Sequence, residues 1–324
     1  MIMRTVMSVA RKTSEEYWRE REEKHIKAGL KTDKQLMAAE KKRFDVLTRE
    51  IEKEINDFYS RYAKTEGISI IEARKKASTL DIETYEKKAA KYVKNRTFSK
   101  EANQEMRLYN MTMKVNRLEL LKSNIGLHLV DAYQDIEDEY RDILTDTARD
   151  EAERLSGILG GSVHDSEKYI RNVVSASFQN ATFSDRVWQN QNLLKAELDQ
   201  LLTKGIVQGK HPNVLARELR KVIDASRYNS ERLLVTETAR VQTDVQKKSF
   251  EDIGYDQYLF IAEPTACPIC RKLDNGKPKK VQSMMPGKNA PPMHPWCRCS
   301  TSAFADRETL EKRLKEIEEG EEEV

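Results

Sequence analysis

The residues best suited to chemistry are four cysteines, Cys267, Cys270, Cys297 and Cys299, the only cysteines in the chain. Cys267-Pro268-Ile269-Cys270 is a C-x-x-C turn, which points two sulfurs at one centre. Pro291-Pro292-Met293-His294-Pro295-Trp296-Cys297-Arg298-Cys299 offers three more donors, His294, Cys297 and Cys299. A structural zinc takes four such ligands in a closed tetrahedron. Five candidates for four places leave two sets open, four cysteines or three cysteines with the histidine, and the four cysteines are preferred. His294 is then a substitute ligand or a group that holds a thiolate from behind. Trp296 is expected to pack beneath the site. Two disulfides would need an oxidising compartment, and nothing marks export. A thioredoxin-like redox pair would need a βαβ setting, which helical surroundings do not supply. A closed ligand set also argues against catalytic zinc, which keeps an open position.

Charge is concentrated at the same place. Between Cys267 and Cys299 stand seven basic residues, Arg271, Lys272, Lys277, Lys279, Lys280, Lys288 and Arg298, against one acid, Asp274. Such a patch suits phosphate contacts, and these seven are the candidate nucleic-acid residues. Lysines that merely solvate a metal-stapled loop are the alternative, since no aromatic row for base stacking accompanies them. Residues 306–324 carry nine acidic and four basic side chains. That acidic tail is expected to fold back over the patch. The whole chain nets only +3, so a globally basic nucleic-acid binder is excluded.

The elements that must position this module read as helical. The 324 residues are 34% charged and 38% hydrophobic, with 12 glycines and 8 prolines. Scarce turn formers argue against an all-β protein. No apolar run is long enough to cross a membrane. The start is too short, and too interrupted by Arg4, for a secretory signal. A reducing cytosol is the expected compartment during synthesis.

Phe44, Leu47, Ile51, Ile55, Phe58 and Tyr62 recur at helical spacing. Ser69 and Glu72 form a capping box, Asp81 is set to cap the next helix, and Ser99 precedes a longer pattern. Leu108, Met111, Val115, Leu118, Leu121, Ile125, Leu129, Ala132, Ile136, Tyr140 and Ile143 continue one stripe. Residues 1–158 thus predict an elongated helical region, packing on itself rather than forming a partner coiled coil. Gly160-Gly161 marks a hinge. Residues 159–250 predict a helical domain, with one helix starting at His211-Pro212 and a further one from Leu233. Residues 251–305 hold the first strand, Tyr255–Ala262, and the cysteine module. The fold class is mainly α, ending in a small α+β zinc-stapled module. Glu237 and Arg240, three apart, are expected as a structural pair within a helix or a buried bridge to the module.

At these residues the chain resembles a known family, the minor head or head-morphogenesis proteins of tailed bacteriophages related to Mu protein F. Ala266-Cys-Pro-Ile-Cys270, Leu273-Asp-Asn-Gly276, Asn289-Ala-Pro-Pro292 and His294-Pro-Trp-Cys-Arg-Cys299 carry the resemblance. Thr236-Glu-Thr-Ala-Arg240, Phe183-Ser-Asp-Arg-Val-Trp188 and the Gly205…Gly209 turn also fit, and Tyr17-Trp-Arg-Glu-Arg21 resembles the start of some members. The resemblance implies a virion protein inside the phage head, present in the host cytoplasm during assembly. It implies a portal protein as partner, with scaffold or major capsid protein and double-stranded DNA as further ones, and a role in head assembly or DNA ejection. No catalytic residues come with it.

The enzymatic rival is a His-metal finger nuclease, which needs a general-base histidine near a metal-binding one. Only His294 lies in the module. His25, His128, His164 and His211 are scattered. A general DNA-binding zinc module is the other alternative. No phosphate-binding G-x-x-x-x-G-K or G-x-G-x-x-G loop is present.

Overall fold

The computed structural model describes residues 14–66, 117–159, 166–208, 210 and 212–305. The capping box at Ser69, the helices expected from Asp81 and Ser99, the Gly160-Gly161 hinge and the acidic tail lie outside the described residues. Four long helices dominate: α1 (Ser14–Glu66), α2 (Arg117–Leu159), α4 (Phe183–Val207) and α5 (Pro212–Asp252). The short α3 (Glu167–Val174) lies between α2 and α4. The chain then forms β1 (Gln257–Ile261), α6 (Pro268–Leu273), β2 (Lys279–Lys280) and β3 (Ser300–Phe304). The strands make one antiparallel sheet in the order β2-β1-β3. The mainly α fold with a terminal α+β module is as the sequence predicts. Among the described residues, no helix is long and apolar enough to cross a membrane.

The described residues fall into two compact units. One gathers residues up to 37, 139–183 and from 232 onward; the other gathers 38–138 and 184–231. This division cuts across the linear regions predicted from composition. The start of α1 belongs with the cysteine module, although more than 200 residues separate them in sequence.

The second unit is built on helical stripes. Phe44, Leu47, Ile51 and Ile55 are buried on α1, and Leu121, Ile125, Leu129 and Tyr133 on α2. Along α2 as a whole, Tyr133 and Leu144 take the core places assigned above to Ala132 and Ile143. Steps of three and four both fit a helical period, and the larger side chains bury more apolar area. The Tyr133 hydroxyl meets Ser226 Oγ at 2.5 Å. That contact explains why α5 is one helix and not two. The polar stretch Ser226–Ser230 looks like an interruption, yet Ser226 and Ser230 are buried, and no Gly or Pro breaks the backbone there. A Cβ at Gly205 would lie 2.5 Å from Leu215 Cδ1, so any larger residue there would have to displace the buried Leu215 side chain.

In the first unit, the C-terminal part of α5 is buried on several sides: Leu234, Val235, Ala239, Val241, Val245 and Phe250 are all covered. Arg240 is 1% exposed. Its Nε donates to Glu237 Oε2 at 2.6 Å, and its terminal nitrogens donate to Asp244 Oδ2, Val173 O and Val174 O. The last two carbonyls end α3, where the helix offers no N–H of its own, and Val173 O also accepts from Ala176 N–H in the turn that follows. The Glu237–Arg240 pair therefore forms within α5, and its charge finishes α3 rather than reaching the cysteine module. Phe178, within the span 159–250 predicted as helical, lies in a turn. It bridges Ala181 across Gln179 and Asn180, whose φ values are 49° and 66°.

Candidate metal centre

The first half of the site is the start of a helix. Cys267 is the N-cap of α6 and Pro268 its first residue. Proline suits that position because its missing N–H would have no partner there. The Cys270 N–H points at Cys267 Sγ from 3.5 Å, so one helical turn brings both sulfurs together. The second half is a turn. Cys297 N–H donates to His294 O at 3.2 Å, and Trp296 takes φ 68° inside it. The Trp296 N–H donates to Thr236 Oγ1 of α5 at 3.3 Å, tethering the turn.

Together these pieces bring all five predicted donors into two overlapping triads. Cys267, Cys270 and His294 form one, and Cys270, Cys297 and Cys299 the other. Within each triad the ligand atoms lie within 4.8 Å of one another. Zn–S bonds of about 2.3 Å at tetrahedral angles put sulfurs about 3.8 Å apart, and a sulfur and an imidazole nitrogen about 3.6 Å apart. Cys270 Sγ lies 3.8 Å from Cys297 Sγ and 3.5 Å from His294 Nε2. His294 Nδ1 bonds Pro295 O at 2.7 Å, which aims Nε2 at the sulfurs. The donors fit a zinc-sized cation, and a bound Zn²⁺ would cross-link the two halves of the module. Sulfur separations of this size are far beyond a disulfide bond, and all four cysteines are free thiols.

The thiols do not ionise alike. A hydrogen bond from Cys299, with smaller help from backbone N–H groups and His294, holds Cys297 down to about 6. Cys299 is pushed well up by its bond to Cys297, and Cys270 by burial and by the neighbouring Cys297 charge. One thiolate forms readily and suppresses the next. A divalent cation would remove that penalty.

The basic residues separate into two groups. Arg271, Lys272, Lys277, Lys280 and Lys288 are exposed. Lys279 is half-buried, donates to Leu273 O at 2.8 Å and sits over the Phe260 ring. Arg298 is a correction. It is 7% exposed, and its Nε donates to Asp33 Oδ2 at 2.6 Å while Nη2 bonds Oδ1. It faces α1 and cannot reach a nucleic acid. Arg298 sits in the loop just before β3, between two buried cysteines, and its guanidinium is taken up by Asp33. Trp296, expected to pack beneath the metal site, is half-buried, and its N–H bonds Thr236 of α5.

Composition and spacing gave no sign of what holds the module from outside. Arg19 forks onto Asp274 at 2.9 and 2.6 Å. Ser300 Oγ donates to Glu22 at 2.8 Å, and Arg154 bonds both Glu22 and Glu151. Gln246 joins Glu151 to Ser300. Ile26 and Leu30 of α1 pack on Leu259, Ile261 and Phe304 of the sheet. Phe260, Ala266 and the cysteines occupy the other face. Arg19 lies in the Tyr-Trp-Arg element of the resemblance, so one signal existed. Asp33 and Glu22 gave none.

The family described as Phage Mu protein F like protein matches residues 196–302. That segment contains all five metal donors and the Glu237–Arg240 pair. The chain is similar to this family over that segment. This is a family of phage head morphogenesis proteins. No curated protein and no solved structure matches the chain.

Proposed function

We propose that this Mu F-like protein is a non-enzymatic minor head component. It acts in head assembly at the portal vertex, with contacts to scaffold or major capsid protein. Its metal-stapled module touches packaged double-stranded DNA or acts during ejection. The carrying observation is that the family segment includes a module whose cysteines and His294 converge on one centre and which presents five exposed cations. Phosphate contacts from all five would give a slope of log affinity on log salt of about −4.5.

The non-enzymatic reading is supported by His294. One ring nitrogen is bonded to Pro295 O and the other faces Cys270 Sγ. A general base needs a nitrogen free to take a substrate proton. Co-expression with the portal protein of the same phage tests the assembly role, and failure to co-purify refutes it. Metal-dependent DNA cleavage that is lost in His294→Ala would replace this reading with the nuclease.

A further inference from the structure

The metal centre is assembled from two chain segments, and α1 grips each of them. The first segment is Cys267 with α6, which carries Cys270. Its C-cap is Asp274, whose N–H donates to Cys270 O at 3.1 Å. Arg19 of α1 holds the Asp274 carboxylate with both prongs of its guanidinium. The second segment is Cys297-Arg298-Cys299. Asp33 of α1 takes up the Arg298 guanidinium, and the Arg298 N–H donates to Glu263 Oε1 at 3.2 Å. The Glu263 N–H in turn points at Cys299 Sγ from 3.5 Å. Ser300, next to Cys299, donates to Glu22 of α1. All these contacts lie within one compact unit.

Arg19 and Asp33 stand 14 residues apart on one continuous helix, or about 21 Å at the helical rise. Docking that helix therefore sets how the α6 segment stands against the Cys297–Cys299 segment. A metal ion would set the same relation from inside, across the 3.8 Å between Cys270 Sγ and Cys297 Sγ. Each constraint orders the groups that the other must hold, so each lowers the entropy loss left to the other. Such a coupling is reciprocal: whatever the metal does for the docking of α1, docking does for the metal.

We propose that residues 14–37 are a metal-coupled arm. Arg19 and Asp33 are positioning residues for the sulfur ligands, and zinc in turn holds the arm on the sheet. Loss of the metal loosens the arm locally and uncovers Ile26, Leu30, Leu259 and Ile261, which pack on one another in the docked state. The coupling rests on the metal reading of the cysteine site and is independent of the DNA contact.

Hydrogen exchange of the full chain, read by mass spectrometry under reducing conditions, compares zinc-loaded protein with protein stripped by a chelator. Peptides covering residues 14–37 should exchange about 5- to 150-fold faster without zinc. Peptides covering α3, in the same unit, should change little. Equal exchange of residues 14–37 in the two states of a chain that binds zinc overturns the coupling and leaves the metal centre standing. Acceleration of α3 by the same factor also overturns it, because zinc then holds up the whole unit and not the arm. A chain that takes up no zinc overturns the metal centre and the coupling together. The reciprocal test titrates zinc against a chromophoric chelator. Arg19→Met, which leaves Asp274 bonded to the Ala262 N–H, should lose about fivefold or more in zinc affinity. Ile170→Ala, which opens a cavity at a buried position of α3, should bind zinc as the parent does. Equal loss in both variants, or loss in neither, overturns the positioning role.

Discussion

Replacing Asp33 with Ala should destabilise the unit that contains the metal module, although Asp33 lies 234 residues before Cys267 in the chain. Asp33 and Arg298 are 5% and 7% exposed at their side chains, and they meet through a two-pronged bond. Removing one partner leaves a full charge in a dry environment. Breaking a buried pair in this way costs about 3–5 kcal/mol. For a unit of 150–250 residues each kcal/mol moves the melting temperature by about 2–4 °C, so the shift should be about 6–20 °C. Arg298→Met should cost a similar amount, because it strands the carboxylate. The double variant Asp33→Leu, Arg298→Met removes both charges and should recover most of the loss. Urea denaturation of the four proteins closes a double-mutant cycle, with an expected coupling of about 3 kcal/mol. Single variants within about 0.5 kcal/mol of the parent would refute the buried pair. So would a double variant as unstable as the sum of the singles. Reduced DNA affinity in a fully folded Arg298→Met chain would return Arg298 to the cationic surface.

Purified protein should hold about one equivalent of zinc, lost in Cys270→Ala, since Cys270 belongs to both triads; less than half an equivalent with thiols intact would refute the site. Comparing zinc affinity of His294→Ala and Cys299→Ala identifies the fourth ligand, because removing a true ligand should cost well more than the roughly ten- to hundredfold that a supporting residue costs. Burial alone would raise the Asp274 carboxyl, but Arg19 and the Ala262 N–H outweigh it and hold it below its ordinary 3.8. Its stabilising contribution is therefore complete above about pH 4 and lost as pH falls through the depressed value. Hydrogen exchange should show residues 14–37 loosening in that acid range, and Asp274→Asn should be loose already at neutral pH. Deleting residues 1–37 should expose Leu259 and Ile261 and cause aggregation on gel filtration; a monodisperse, zinc-loaded product would refute the role given to α1.

The cysteine site was legible because its information is local. A C-x-x-C turn and a His-x-x-Cys turn each fix their own geometry, and only their meeting had to be inferred. Strand β1 announced itself through Tyr258, Leu259 and Phe260. Its neighbours did not: Lys279-Lys280 is too short to carry a pattern, and Ser300–Phe304 is small and polar yet almost wholly buried. What buries it is a set of helices far away in sequence. The same distance explains Arg298. Read among six other basic residues it belongs to a cationic surface, and nothing near it names Asp33. The continuous α5 was hidden for a related reason, since Ser226 and Ser230 look like surface residues until Tyr133 is placed beside them.

The clasp between α1 and the sheet also sets a timetable. Asp33 emerges from the ribosome 265 residues before Arg298. At about 5–20 residues per second, that is a wait of roughly 13–53 s. During that interval Ile26, Leu30 and the Glu22–Asp33 carboxylates have no sheet to join. The first unit can close only after nearly the whole chain has been made, and closure over so long a loop is slow. Newly made chains thus pass through a stage in which the N-terminal segment is free for a chaperone or an assembly partner.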